Sequence, residues 1–352
     1  MSGSSNCVIE AAVLRGFAAD LLRAGGLRAD HADSVARVLV WADLRGTASH
    51  GVARLPLYLG WLRSGEMNGQ ARIRAALHLP ALTVLEGDRC AGAAGMEAAT
   101  RTAIDGARQA GAATCLLRAA THTGALGCYT EMIAQAGMLG IACAASGPLM
   151  AYHGAAAAGV STAPLSISAP GPTGQPPLVF DMASSAVALG RLQQARARGE
   201  SIPSGWALDA GGRPTTDPAT AELPLPLGGA KGSGLALMIE VLCSLLTDNP
   251  ILAPALAQPP AERSHVQNAV VIAIDARALV RAEVYGRHMA ELMESLRGLP
   301  AQEGASIRMP GERGAREAER RRRDGVELSP RTMAELQAAA VAAGLAAPWQ
   351  PA

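Results

Sequence analysis

The hydrophobic period of this chain changes twice, and those changes limit the fold more than any single motif. Over residues 8–23 apolar side chains recur at three- and four-residue spacing as far as Gly25-Gly26, and residues 32–45 repeat the pattern up to Gly46, so two helices are predicted. Ser49 is placed to cap a third helix running toward Ser64 and closed by Gly65, with Pro56 tolerable only near its start or at a kink. From Arg72 the period shortens. Residues 72–75, 82–85, 114–117, 139–144, 165–169, 178–180 and 269–274 read as strands, and helices fall at 92–109, 129–135, 185–198 and 235–246. Helical spacing returns in 282–296, in 312–323 and in a last helix opened by Ser329-Pro330, the favoured order of cap and proline. The expectation is an α/β fold of the α+β type, with an α/β middle between helical ends that rejoin each other. Residues 199–234, rich in Gly and Pro, form the longest irregular stretch, a length usually associated with functional or mobile loops.

A chain of 352 residues suits one large or two interleaved domains, and two are expected here. With 31 Lys+Arg against 30 Asp+Glu the net charge is +1, which leaves no field to hold a phosphate polymer, so nucleic acid is not an expected partner. Hydrophobic residues reach 49% but aromatics only 3%, so alanine must do much of the packing in an ordered globular protein. The six cysteines are scattered without a Cys-x-x-Cys pair, which predicts reduced core residues and neither a structural zinc nor a redox motif. No basic region followed by an apolar stretch opens the chain and no window of about 18 uninterrupted apolar residues occurs, so a soluble cytoplasmic protein without a membrane partner is expected.

Three segments carry chemistry. A dinucleotide enzyme of the usual kind would show Gly-x-Gly-x-x-Gly between a strand and a helix, and none is present. Gly228-Gly229-Ala230-Lys231-Gly232-Ser233-Gly234 fails the nucleotide-triphosphatase order because Gly232 follows Lys231, yet it opens a helix where free amides and a lysine suit a phosphate or carboxylate; a flexible loop with a solvated lysine is the plain alternative. In Ser49-His50-Gly51-Val52-Ala53-Arg54-Leu55-Pro56-Leu57-Tyr58, a continuous helix would put His50, Arg54 and Tyr58 on one face. A guanidinium clamps a carboxylate, an imidazole moves a proton at a carbonyl oxygen or imine nitrogen, and a phenol adds a donor; an ordinary polar helix face is the alternative. Ser49 beside His50 also invites a hydrolase reading, weakened because adjacent helical side chains point apart and no Gly-x-Ser-x-Gly elbow surrounds Ser146 or Ser233. In Thr121-His122-Thr123-Gly124-Ala125-Leu126-Gly127, between a strand and a helix, amides and an imidazole can face a bound anion. The other five histidines have no metal-ligand spacing and are taken as structural or solvated, and no metal is expected. Arg320-Arg321-Arg322-Arg323, with Arg313 and Arg316 before it, is either a solvated helix face or an attractor for an adenosine 2′-phosphate.

Ala42-Asp43-Leu44-Arg45-Gly46 followed by Ser49-His50-Gly51 resembles the N-terminal signature of the type-2 malate/L-lactate dehydrogenase family. Ile202-Pro203-Ser204-Gly205-Trp206-Ala207-Leu208-Asp209, Gly212-Arg213-Pro214-Thr215-Thr216-Asp217-Pro218, Phe180-Asp181-Met182-Ala183, Lys231-Gly232-x-Gly234 and Met309-Pro310-Gly311-Glu312 extend the resemblance along nearly the whole chain. It implies a non-Rossmann nicotinamide-binding domain with a mixed sheet, residues 71–304, and a helical domain built from both chain ends, residues 1–70 with 305–352. It also implies NAD or NADP as cofactor and a homodimer with its site near the interface. By matching motifs, His50 assisted by Ser49 is a candidate proton donor with His122 as its rival, and His50 is favoured because Arg54 shares its expected helix face. Arg54, Tyr58 and the Thr162 loop would hold substrate. His122, Gly124, Ala125, Ser146, Asp181, Met182, Ala183 and Lys231 match cofactor positions, with Arg313 near the adenosine ribose.

The chain departs from the family pattern at Ala163, where Thr-Asn-Pro is usual, and at Ala230, which replaces a frequent histidine. Arg191 resembles the lysine of hydroxyacid enzymes rather than the aspartate of imine reductases, and the stretch between Leu246 and Asn268 is short and Pro-rich. The leading expectation is hydride transfer to or from C2 of a small 2-oxo or 2-hydroxy acid of the malate/lactate type. The alternatives are reduction of a cyclic imine carboxylate and a catalytically degenerate family member that only binds ligand.

Overall fold

The computed structural model describes residues 7–349. β1 (Cys7–Ile9) leads into α1 (Ala11–Ala24), α2 (Ala29–Leu44) and α3 (Leu55–Ser64), with two single 3-10 turns, Ala48–His50 and Val52–Arg54, between the last two helices. β2 (Arg74–Leu79), β3 (Leu82–Cys90), α4 (Gly92–Ala110), β4 (Ala112–Ala120), α5 (Gly127–Gln135) and β5 (Met138–Ser146) follow. Next come the short β6 (Met150–Ala151) and β7 (Ala158–Val160), then β8 (Leu165–Ala169), β9 (Leu178–Met182) and α6 (Leu189–Arg198). Three two-residue strands, β10 (Ala207–Leu208), β11 (Pro214–Thr215) and β12 (Leu223–Pro224), precede α7 (Ala230–Cys243) and α8 (Leu252–Leu256). The chain ends through β13 (Gln267–Asp275), α9 (Ala282–Arg297), α10 (Glu312–Asp324), β14 (Val326–Leu328) and α11 (Pro330–Ala342).

Seven strands form one mixed sheet in the order β2-β3-β4-β13-β5-β8-β9. Only β3 and β4 are parallel, joined by α4 as a crossover, and the remaining pairs are antiparallel. Strand alternation divides the side chains between two cores. Cys115, Leu117, Ala142, Ala144, Ala269 and Val271 join a large core shared with α1, α2, α4 and α5, while Leu116, Cys143, Ala145 and Val270 face Ala236, Ile239 and Cys243 of α7. The large core continues without a break from the sheet into the helical layer. β1 pairs antiparallel with β14, so the two chain ends do meet.

Several expected boundaries move for physical reasons. The first helix begins at Ala11 because Val8 is drawn into β1 by a strand near the other end of the chain, a partner no local period reveals. Residues 199–234 are not wholly irregular: β11-β10-β12 form a small sheet beside a satellite core of Val187, Leu192, Ala195, Ile202, Ala207 and Ala221. The expected helices at 185–198 and 235–246 run instead from Leu189 and from Ala230 to Cys243. With its extension, the segment Ala230–Thr247 is long and apolar enough to cross a membrane by length and composition, and 44% of it is buried within the protein.

Close approach of backbone and helix sets the site-bearing end of β4. A methyl group on Gly92, the first residue of α4, would overlap the carbonyls of Thr121 and His122, and one on Gly95 would lie 2.7 Å from Leu117 Cδ2. Gly92→Ala should therefore destabilise the fold by about 1–3 kcal/mol despite the better helix propensity of alanine, because backbone cannot move aside as a side chain can. Chemical denaturation checks this, and an unchanged midpoint would refute it.

Candidate active site

Residues 49–58 do not form the continuous helix that their spacing predicts. Gly51 adopts an extended conformation, φ −90° and ψ −161°, between the two 3-10 turns, and α3 begins only at Leu55 with Arg54 at its N-cap and Pro56 in its first turn. Ser49 therefore caps no helix, and His50, Arg54 and Tyr58 do not share a helix face. The break is held from below by Asp43, whose Oδ2 accepts the Val52 N–H at 2.8 Å. Any side chain on Gly51 would overlap that carboxylate. Asp43 is 3% exposed, and burial pushes its carboxyl up to about 7 against the opposing pull of the Val52 N–H and Arg321.

The turn nonetheless brings the chemistry together. Ser49 Oγ lies 3.0 Å from His50 Nδ1, so these neighbours do not point apart as they would in a helix. Ser49 meets Nδ1, and among the described residues no carboxylate bonds the imidazole, so the arrangement differs from a hydrolase triad. The His50 ring stacks against His122 at 5.6 Å between centroids, and Tyr58 Oη meets His122 Nδ1 at 2.7 Å. Tyr58, itself buried, stacks on Trp61, whose other neighbour is the exposed His265. Both central imidazoles keep part of their surface accessible. Burial, with a smaller contribution from Arg54, still lowers His50 to about 4. Burial and then the nearby His50, Arg54 and His265 hold His122 well below the ordinary imidazole value. Burial likewise pushes the Tyr58 phenol well above its usual range, so it stays protonated. Arg54 Nε donates to the Ser49 carbonyl at 2.7 Å, and its two terminal nitrogens have no partner among the described residues.

His122 is placed by its own loop. Gln267 Oε1 accepts from both Thr123 N and Thr123 Oγ1 at 2.9 Å, and Tyr129 Oη donates to Thr123 O. Ser146 stands opposite Gln267 in the β5–β13 ladder. Gly124, at φ +76°, turns the loop against Val38, and the Gly127 N–H then donates to exposed Asp181 Oδ2 at 2.8 Å. His122, Gly124, Ala125, Ser146 and Asp181 thus lie along one connected path. A second group gathers Thr162, Ala183 and Lys231: Ser184 donates through both N and Oγ to Thr162 O, Leu227 N donates to Ser184 O, and Gly232 N donates to Leu227 O. Ala163 is fully buried at φ +28°, a conformation that asparagine tolerates better than alanine. Arg313 shares no hydrogen bond with either group and lines a basic cavity with Arg45 and Arg316.

These surfaces fit a dinucleotide. Lys231 is exposed at the N-terminal end of a 14-residue helix, where the helix dipole disfavours a cation, and its ammonium has no partner among the described residues. An anion at that helix end resolves both the field and the unpaired charge. Two positioning residues, Asp43 and Gln267, were not assigned roles from sequence. A polar residue opening the apolar run of β13 was the one available signal for Gln267, and Asp43 stood unremarked inside a motif.

The mixed sheet lacks the doubly wound Rossmann order, and its paired imidazoles and anion-ready helix end suit a dinucleotide-dependent oxidoreductase. Residues 9–337 match the family model described as malate/L-lactate dehydrogenase, and the chain belongs to that family. It is 34% identical over 291 residues to the ureidoglycolate dehydrogenase (NAD(+)) of Escherichia coli O157:H7, covering 82% of each chain. To the (2R)-3-sulfolactate dehydrogenase (NADP(+)) of Chromohalobacter salexigens it is 35% identical over 327 residues, covering 91% of this chain and 94% of the other. The sulfolactate dehydrogenase structure from Methanocaldococcus jannaschii superposes with a TM-score of 0.86 at 31% identity, covering 96% and 98% of the two chains. The Δ1-piperideine-2-carboxylate reductase from Pseudomonas syringae pvar. tomato does so with 0.84 at 28%, covering 95% and 100%.

The buried acid under the Gly51 turn makes stability depend on pH with a definite sign. A carboxyl raised from 3.8 to about 7 on folding binds its proton more tightly in the native state, so its stabilising contribution is complete at low pH and is lost as pH rises through that window. Asp43→Asn retains an acceptor oxygen for Val52 but cannot ionise. Its stability relative to the parent should rise between pH 4 and pH 7 by on the order of 4 kcal/mol, at about 1.4 kcal/mol per pKa unit. Urea unfolding at several pH values measures this, and a pH-independent difference would exclude ionisation of Asp43 as the cause.

Proposed function

We propose that the chain interconverts a small 2-oxo acid and its 2-hydroxy acid, with Arg54 clamping the carboxylate and His122 carrying the proton at the C2 oxygen. The observation that carries this reading is the 2.7 Å contact of His122 Nδ1 with buried Tyr58, on a loop that runs directly to Asp181. The sequence spacing favoured His50 because it assumed a helix face shared with Arg54. Without that face, His122 is the imidazole connected to both the Arg54 turn and the proposed cofactor strand. When bound, NAD(P) supplies or accepts the hydride. Ser146, Asp181, Met182, Ala183, Lys231 and the Gly124-Ala125 turn would hold it.

In the oxidation direction His122 offers a neutral Nε2 to the substrate hydroxyl while Nδ1–H is held by the Tyr58 oxygen. In the reverse direction it returns that proton. His50, fixed by Ser49, forms the opposite wall and orients the oxygen, and the loop bearing Thr162 closes the pocket. A cyclic imine carboxylate is the second reading, supported by similarity to the piperideine carboxylate reductase. Gly190 packs against Ser49, and its neighbour is Arg191, stacked over Trp206, where a proton relay to an imine nitrogen would call for a carboxylate. That favours the acid.

The reading includes a helical domain of residues 1–70 with 305–352, of which 1–6 and 350–352 lie outside the described residues, around a cofactor domain of residues 71–304. It also includes a homodimer, supported by the exposed apolar face of Leu237, Met238, Leu242, Leu245 and Leu246 on and after α7. Five buried free cysteines fit the reducing cytoplasm.

Oxidation of malate, lactate and sulfolactate, and reduction of piperideine-2-carboxylate, followed at the nicotinamide absorbance, tests the assignment. A hydroxy acid should be the better substrate, and the acid limb of its kcat/KM profile should fall well below pH 6.5. His122→Ala should lower kcat by roughly 10²–10⁴-fold, and Arg54→Ala should act mainly on KM. Full activity in His122→Ala would transfer the proton to His50, and turnover of the imine alone would establish the second reading.

A further inference from the structure

A basic cavity of about 510 Å³ opens where the first turns of α10 meet the end of α2. Arg45, Arg308, Arg313, Arg316, Arg320 and Arg321 line it, against only Glu312 and Glu317, in a chain whose net charge is +1. Positive charge is therefore concentrated here rather than spread over the surface. Glu317 is taken by Arg320 and Arg321, Glu312 pairs with Arg316, and Arg45 is held by Glu131 and the Gly311 carbonyl, both at 3.1 Å. Two cations are left over. Arg313 makes no hydrogen bond or ion pair among the described residues, and Arg308 donates only to Ser306 Oγ at 3.0 Å. A second cavity, about 490 Å³ between α2 and α4, is closer to balance: Asp30, Asp33 and Glu97 stand beside Arg28, Arg37, Arg72 and Arg101, with Glu97 paired to Arg37 and Arg101 and Asp30 to Arg28.

The basic cavity adjoins the proposed cofactor path through two elements. The Val179 N–H donates to the Pro310 carbonyl at 3.1 Å, next to the Gly311 that begins α10, and Asp181 lies two residues beyond Val179 on β9. Along α5, Glu131 binds Arg45 one helical turn from Gly127, whose N–H binds Asp181. A dinucleotide held at Asp181 would have these arginines within the next contacts of the protein surface.

We propose that this cavity is the subsite for the 2′-phosphate of NADP(H), with Arg313 and Arg308 as its ligands, so that the enzyme prefers NADP(H) to NAD(H). The proposal rests on the cofactor reading above and adds to it the choice between the two dinucleotides. Guanidinium groups bind a phosphate dianion through paired, charge-assisted hydrogen bonds, whereas a ribose hydroxyl leaves the two cations unpaired. The remaining arginines, already bridged to carboxylates, keep the field positive around them.

Calorimetric titration of the whole protein with NADPH, NADH and inorganic phosphate provides the test without requiring turnover. NADPH should bind at least about tenfold more tightly than NADH at low ionic strength, and the margin should narrow as salt is added. The double variant Arg308→Ala/Arg313→Ala should lower the NADPH-to-NADH affinity ratio roughly 10–100-fold. Arg322→Ala, on the same helix but outside the cavity, should leave the ratio unchanged. Equal binding of the two dinucleotides, a preference for NADH, or a ratio unmoved by the double variant overturns the subsite and leaves the cofactor reading intact. Phosphate binding abolished by the double variant, with NADPH and NADH bound alike, marks a site for free anions and also overturns it. Binding of neither dinucleotide overturns both readings.

Discussion

The hydrogen bond between Tyr58 and His122 ties the helical layer to the sheet at the candidate site. Tyr58 belongs to the helical layer and His122 to the loop leaving a sheet strand, so a 2.7 Å contact between them requires both frameworks to be in register. The requirements on each side are steric. On the sheet side Gly92 lets α4 lie against the Thr121 and His122 carbonyls. On the helical side Gly51 lets the turn settle on Asp43. Alanine-rich helices serve the same end, since α4 reaches the sheet closely enough to share its core through Ala99, Ala103 and Ala107.

Burial then sets the protonation states that the chemistry needs. Taking two imidazoles into one partly enclosed space beside Arg54 disfavours a charge on either. The same cost keeps Tyr58 protonated, so in the proposed mechanism the proton moves through histidine and not through the phenol. Arg54 can hold an anion because its Nε is committed to the Ser49 carbonyl while its other nitrogens stay free. A bound carboxylate would offset the field that Arg54 exerts on the imidazoles, which couples substrate binding to proton affinity.

Much of this was legible in the sequence. The strand read at 114–117 is present, its alternation sending Leu116 and Leu117 to opposite cores, and the caps at Gly65 and at Ser329-Pro330 stand where they were read, with Ser329 accepting from Thr332 N. Spacing misled at residues 50, 54 and 58, because a four-residue interval fits a helix equally well whether or not a buried carboxylate several residues earlier breaks it. β1 was hidden because its partner lies at the far end of the chain. The arginine run of α10 was visible, and its pairs with Glu312 and Glu317 are three- and four-residue helix neighbours, but the Glu131 that holds Arg45 beside it comes from a distant part of the chain. Gln267 illustrates the same limit, since its role comes from facing Thr123 across the sheet.

The account stands on His122 being a neutral imidazole held by Tyr58 in the free enzyme. Nuclear magnetic resonance titration of the protein with labelled histidine, assigned through His122→Ala, measures this directly. The account predicts a His122 ring that remains neutral as pH falls well below 6.5, with Nδ1 reporting the hydrogen bond to Tyr58 and losing that signature in Tyr58→Phe. A His122 that titrates at or above 6.5, or whose Nδ1 resonance is unaffected by Tyr58→Phe, would contradict it.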